Sequence, residues 1–228
     1  MRNKLLIAVL LIFSFGAESG QLDDAVEAMR SGDFAVAYCI MRPLAENGDS
    51  DAQYNIGWMY LNGYGLRVND VLALDWWQEA ASQGHADARF SIAMLYSMGE
   101  GKVKRDPEKA IDYYLLAMES GHDDAATMLQ SMMLRNDREI RGRMHSIVSR
   151  YSSSFGVTRQ VKAKKLNARK GPSVNEKIVT QLVQGQSVLE MQKLGRWSQV
   201  VILDDENIDQ TVWVYNPLLE DAVKPPTG

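Results

Sequence analysis

The sequence predicts an α + β multidomain chain, an α-solenoid of repeated helix pairs followed by a small β-barrel. Three observations carry that prediction. A block of about 36 residues recurs along the first half of the chain; apolar residues within each block fall at helical spacing; and beyond residue 156 the pattern shortens into strand-like runs broken by glycine. At 228 residues, with 46% hydrophobic and 24% charged residues, the chain has the composition of folded rather than disordered protein.

The repeat is visible as a loop written twice. "YLNGYGLRVND" begins at Tyr60 and "YSMGEGKVKRD" at Tyr96. Ala52, Ile56, Tyr60, Gly63 and Gly65 recur 36 residues on as Ala88, Ile92, Tyr96, Gly99 and Gly101. One residue is then inserted, so that Ala73, "DWW" at Asp75 and Gly84 recur 37 residues on as Ala110, "DYY" at Asp112 and Gly121. Upstream, Asp33, Ala37, Ala45 and Gly48 open the same series, and Ala125 continues it.

Each block holds two helices. Ala52, Ile56 and Tyr60 line one face of the first. Gly63 ends it and Gly65 bends the loop, at positions suited to positive φ or close approach. Asn69 and Asp106 are N-caps of the second helix, the latter followed by Pro107 in the first turn. Ala73, Trp77 and Ala80, then Ala110, Tyr114 and Ala117, form its inner face. The glycine loops are therefore turns between helices. They are not phosphate cradles, because no strand precedes them and no Lys-Ser/Thr follows.

These residues resemble the Sel-1-like repeat, a relative of the tetratricopeptide repeat, over about residues 22–135. Ala93 departs from the family's helix glycine, and Leu66 and Lys102 from its usual valine. The resemblance implies a curved solenoid that binds other proteins and has no catalytic residues. Trp58, Met94 and Ser131 form a ladder outside the recurrent positions, and are the candidate protein-binding residues.

The chain opens with Arg2 and Lys4, nine apolar residues from Leu5 to Phe13, and then small residues, the layout of a secretory signal peptide. Cleavage fits after Gly16 or after Ser19, without the context of a lipid-attachment site. A periplasmic or secreted protein is expected, with no transmembrane segment. The expected organisation is a signal peptide over 1–19, the solenoid with a capping helix over 20–152, a linker over 153–159, the barrel over 160–221 and a tail over 222–228. In the capping helix Ile140, Met144, Ile147, Val148 and Tyr151 make one apolar stripe, with Arg141, Arg143 and Arg150 opposite. "SSSFG" at Ser152 reads as the linker.

The strand-rich segment, "LNARKGPS" with later glycine turns and tryptophans, resembles a bacterial SH3-like domain. Its motif falls on Leu166, Asn167, Arg169, Gly171, Pro172, Trp197 and Trp213, with Val212 where the family has glycine and a longer acidic loop at "LDDENIDQ". Some members of that family bind cell-wall peptide or glycan. Trp197 and Trp213 are expected to fill the small core.

Chemistry-bearing residues are few. Cys39, the sole cysteine, sits in "FAVAYCIM" and is expected to be a small buried hydrophobe, so no internal disulfide forms. His85 and His122 recur beside Asp87 and Asp124, but an i, i+2 pair does not converge on a metal, and the repeat resemblance implies routine first-turn histidines there. Met128, Met132 and Met133 read as core. No cofactor or metal is expected. Charge is uneven: residues 20–137 carry 9 basic against 19 acidic side chains, 138–170 carry 10 against 1, and 171–228 carry 4 against 8. An exported chain of pI 5.5 without a recognition motif is not expected to bind nucleic acid.

The leading functional expectation is a non-enzymatic exported adaptor, whose solenoid holds a protein while the SH3-like domain docks to peptidoglycan or another envelope protein. The alternatives are an accessory or catalytic factor in peptidoglycan hydrolysis, and a secreted host-interaction protein.

Overall fold

The computed structural model describes residues 20–99, 101–204 and 210–222. The expected signal peptide, the heart of the acidic loop and most of the tail lie outside them. The chain divides into two compact units, Met1–His122 and Asp123–Gly228.

The first unit is a helical repeat solenoid. Helix α1 covers 20–31, α2 Phe34–Glu46, α3 Ser50–Asn62, α4 Asp70–Ser82, α5 Ala86–Met98 and α6 Pro107–Glu119. Capping follows the sequence closely. Asp33, Asp49, Asn69 and Asp106 each accept a hydrogen bond from a backbone N–H three residues on. Gly63 and Gly99 end α3 and α5 in the left-handed region, at φ 72° and 71°. Gly65 and Gly101 are needed for closeness as well as for φ. A Cβ would lie 2.9 Å from the side chain of Phe34 in one case and 2.7 Å from the Asp70 carboxylate in the other. Phe34 and Asp70 are themselves 36 apart, so the same contact is made twice with different chemistry.

Burial follows the small-residue pattern. Ala37, Ala52, Ala73, Ala80, Ala88 and Ala117 are fully buried, and Trp77 and Tyr114 fill the spaces between helix pairs. Two side chains that the sequence does not flag stitch consecutive pairs. Gln53 and Arg89, at matched positions, donate to the carbonyls of Ala45 and Ala81, each at 3.0 Å. Those carbonyls lie near helix C-termini, where acceptors have no intrahelical partner.

Cys39 differs from expectation: it is exposed. The buried positions of α2 are Ala37, Met41, Leu44 and Ala45. At about 100° per residue, Cys39 points away from that stripe although its neighbours in sequence are apolar.

The second unit joins two helices to a sheet. Helix α7 spans Asp123–Leu134 and α8 Arg138–Phe155. The strands are β1 Val157–Val161, β2 Lys165–Arg169, β3 Ile178–Val183, β4 Ser187–Leu194, β5 Trp197–Ile202, β6 Val212–Tyr215 and β7 Leu219–Asp221. They pair antiparallel in the order β3-β2-β6-β5-β4-β1-β7, so β3 and β7 are edges and the sheet is not closed. The core holds Val161, Leu166, Ala168, Leu182, Val188, Val200, Ile202, Val212 and Val214. Val212 is fully buried in it, which is why an apolar residue serves there.

Two further expectations change. The stretch 152–155, read as linker, continues α8 beyond a kink at Tyr151, where φ is −128° and ψ 28°. Phe155 at its end is buried and anchors the helix. Of the stripe, Ile140, Met144, Ile147 and Val148 are buried as expected and Tyr151, at the kink, is half-buried, but α8 belongs to the sheet-containing unit. Polar side chains hold the helices there. Gln199 Nε2 donates to the Leu134 carbonyl at 2.7 Å, and Asn136, at φ 56°, accepts from the Thr211 N–H at 2.7 Å and donates to its carbonyl at 3.3 Å. An asparagine amide thus bonds the backbone just ahead of β6 as a neighbouring strand would, from the left-handed conformation that asparagine tolerates.

Candidate functional site

On α3, Tyr54, Trp58 and Leu61 recur at helical spacing, and on α5 Phe90, Met94 and Met98 do the same. A groove of about 300 Å³ lies between these rows, floored by Trp77 and Leu95. Asn62 and Ser91 are its remaining polar members, and no charged side chain lines it. Trp77 is 2% exposed and donates from Nε1 to the Tyr54 carbonyl at 3.0 Å, so the floor is fixed in orientation. Trp58 is partly exposed and stacks on Tyr64, centroid to centroid 4.7 Å, and Tyr64 in turn stacks on Phe34 at 4.6 Å. Met98 is 56% exposed at the rim.

The floor explains one departure from the repeat pattern. A Cβ on Gly57 would lie 2.6 Å from the Trp77 ring, so tryptophan requires glycine opposite it. In the next repeat Ala93 takes the glycine's place and the smaller Tyr114 takes the tryptophan's, its hydroxyl donating to Met94 Sδ at 3.0 Å.

One end of the groove adjoins a second, polar recess of about 380 Å³ lined by Ser50, Asp51, Gln83, His85 and Asp87. His85 is the N-cap of α5 through Nδ1, which accepts from the Ala88 N–H at 3.2 Å; Nε2 lies 3.0 Å from Asp51. Its ring stacks on Tyr54 at 4.8 Å. One repeat on, His122 Nε2 lies 3.5 Å from Asp87 and its ring stacks on Phe90 at 4.0 Å. Each histidine at the end of a repeat therefore pairs with the aspartate near the start of that same repeat, not with the one two residues on. Sequence alone hides this, since the partners are 34 and 35 residues apart. Burial lifts the Tyr54 hydroxyl above the ordinary tyrosine range, and the nearby Asp87 carboxylate adds to that.

Of the three ladder residues, Trp58 and Met94 come together in the groove. Ser131 lies on α7 in the second unit, partly buried, where its hydroxyl accepts from Arg135.

The second unit has its own recess, about 390 Å³, lined by Lys165, Asn167, Arg169, Val174, Trp197, Tyr215 and Leu218, with Leu166 at its base. Strand alternation puts Lys165, Asn167 and Arg169 on one face of β2, while Leu166 and Ala168 enter the core. Arg169 donates to the Glu176 carbonyl at 2.8 Å, and the turn at Gly171-Pro172 closes with Ser173 N–H to Gly171 carbonyl at 2.9 Å. Neither Trp197 nor Trp213 is a core residue. Both are partly buried on the opposite face from Ser198, Val212 and Val214, and Trp197 meets Tyr215 edge to face at 5.8 Å. The core is filled by valine, leucine and isoleucine, which leaves the indoles outside it.

Among the described residues, Glu190 is the buried charge of this unit. Burial pushes its carboxyl upward, and hydrogen bonds from Ser198 and Arg159, with Lys193 at 3.4 Å, outweigh that and hold it below the ordinary range. Arg159 also pairs with Asp221, so the network ties β1, β4, β5 and β7 together. Among the described residues no cluster of three His, Cys, Asp or Glu has metal-site geometry, and no helix is long and apolar enough to cross a membrane.

Comparison with known proteins agrees with the repeat. Residues 50–85 and 86–122 each match the Sel1 repeat family. Chitin synthase regulatory factor 2 of Schizosaccharomyces pombe is 33% identical over 88 residues, 38% of this chain and 17% of that protein. A Sel1 repeat protein from Oxalobacter formigenes is 24% identical with TM-score 0.47, covering 51% of this chain and 46% of the other. A protective antigen of uropathogenic Escherichia coli with an SLR fold is 25% identical with TM-score 0.49, covering 60% and 32%. The chain thus spans under a fifth of the curated relative and under half of each of these solved chains.

Proposed function

We propose, from the two Sel1 repeats at 50–122, that this chain is an exported, non-catalytic scaffold that holds a protein partner in the groove between α3 and α5. Such repeats are generally protein-interaction scaffolds and typically non-catalytic. The observation that carries the reading is the groove itself: an uncharged apolar slot presenting Trp58 and Met94, with Met98 exposed at its lip. An aromatic anchor beside flexible methionines is the composition of a binding surface. A photo-crosslinking residue at Met98 of the full chain, expressed in its own host, tests it. A discrete crosslinked species lost in Met94→Glu is the expected result, and crosslinks indifferent to Met94 would count against it.

The second unit is, in this reading, a bacterial SH3-like module docking to cell wall or an envelope protein through the recess around Trp197. The motif residues Asn167 and Arg169 line that recess together with Trp197 and Tyr215, which supports a binding rather than a core role. Co-sedimentation of the mature chain with purified peptidoglycan sacculi is expected, with Trp197→Ala reducing the bound fraction. Wild-type protein left wholly in the supernatant would remove the wall-docking part of the proposal.

A further inference from the structure

The groove and the polar recess beside it share a wall. Tyr54 lines the groove, and its ring stacks on His85, which lines the recess. The Tyr54–His85 stack links the two into chemically distinct halves of one surface. One half is apolar and uncharged. The other presents Asp51 and Asp87, whose side chains are 64% and 58% exposed although each is oriented by a histidine. A carboxylate that bonds one histidine through one oxygen keeps further acceptor capacity facing solvent.

No lysine or arginine lines either half, and the imidazole of the recess, His85, is already engaged with Asp51 and with the Ala88 N–H. Arg89, the arginine of α5, is turned elsewhere, donating to the Ala81 and Leu116 carbonyls and to Ser120. Apart from the histidine that each aspartate meets, no cation opposes them toward a ligand, and the acidic balance of the surrounding segment reinforces their sign.

We infer that the occupant is a peptide segment of a partner protein in which apolar anchor side chains stand next to lysine or arginine. The anchors fill the slot over Trp77, and the cation sits between Asp51 and Asp87. This rests on the reading of the groove as the docking site and adds the chemistry of what docks. An acidic segment is rejected, because its carboxylates would face Asp51 and Asp87 across the Tyr54 wall.

The test uses the full mature chain and two short fluorescein-labelled peptides, one with a pair of leucines flanked by lysines, the other with glutamate at every lysine position. Fluorescence anisotropy is expected to show the lysine peptide binding tighter by roughly fivefold to tenfold at low salt, from two exposed charge contacts, with the preference shrinking as salt is added. Asp51→Asn with Asp87→Asn, which keeps an acceptor for each histidine, removes the preference and leaves residual apolar binding. Met94→Glu lowers binding of both peptides, and a thermal melt matching wild type shows that the variant folds. Equal binding of both peptides, with loss in Met94→Glu, overturns the charge inference while the groove reading stands. No binding of either peptide, or binding indifferent to Met94, overturns both.

Discussion

The two repeats at 50–85 and 86–122 solve one packing problem in two ways. The first sets glycine at 57 against tryptophan at 77; the second has alanine and tyrosine at the matched positions 93 and 114. Summed side-chain size over the two positions changes little while each residue changes. The difference teaches that the repeat conserves a spacing and that side chains compensate in pairs. It also shapes the groove, since the larger ring at 77 is the one that forms its floor.

The largest expected effect breaks that pairing. Gly57→Ala puts a methyl 2.6 Å from the Trp77 ring, and overpacking of this kind costs about 2–3 kcal/mol. Trp77→Tyr in the same chain recreates the second repeat's pair. Urea unfolding of the two single variants and the double should then show a favourable coupling of about 1 kcal/mol or more. Additive losses would refute compensation.

A smaller effect sharpens the comparison between the two loops. Gly65→Ala and Gly101→Ala both force alanine into positive φ, which costs about 1–2 kcal/mol. At Gly65 the added methyl also meets the backbone of Phe34 at 3.1 Å, which cannot move aside, whereas at Gly101 its nearest neighbours are the atoms of the Asp70 carboxylate, which yields by giving up its hydrogen bonds from Lys102 and Val103. Gly65→Ala should be the more destabilising of the two in the same unfolding assay, and the reverse order would contradict the contact.

The smallest effect concerns acid. Positions 34, 70 and 107 correspond across the helix pairs, and of these only Asp70 titrates. Burial raises its carboxyl, and N–H donors from Lys102 at 2.6 Å and Val103 at 2.8 Å outweigh that and leave it below the ordinary value. A depressed folded pKa means that the unfolded chain takes up the proton first. The contribution is therefore complete above the unfolded value of about 3.9 and lost as pH falls through the folded one. Asp70→Asn should lower stability at neutral pH and flatten its decline in acid. A decline parallel to wild type would show that the clamp does not act through charge.

Much of the first unit was legible before any coordinates. Periodic alanines, paired glycines and the caps Asn69 and Asp106 each act within a few residues, and each took its expected place. What misled was local composition standing in for direction. "FAVAYCIM" is apolar throughout, yet the phase of α2 turns Cys39 outward. "SSSFG" looks like a linker, yet Phe155 is buried at the end of α8. Trp197 and Trp213 look like core, yet alternation along β5 and β6 places smaller apolar residues inward.

The candidate site divides in the same manner. Trp58 and Met94 were legible as a ladder because a fixed period puts matched residues on matched faces. Gln53, Arg89 and the His85–Asp51 pair were not, since each joins residues whose meeting depends on helix rotation and on the angle between helices. The sequence by itself determined the helix pairs, their turns and caps, and the strand alternation, because these depend on neighbours within one turn or one pleat. Only the tertiary structure decided which histidine meets which aspartate, where the second unit begins and what floors the groove. Those outcomes depend on side chains brought together from distant parts of the chain, where a rotation of one residue changes the partner.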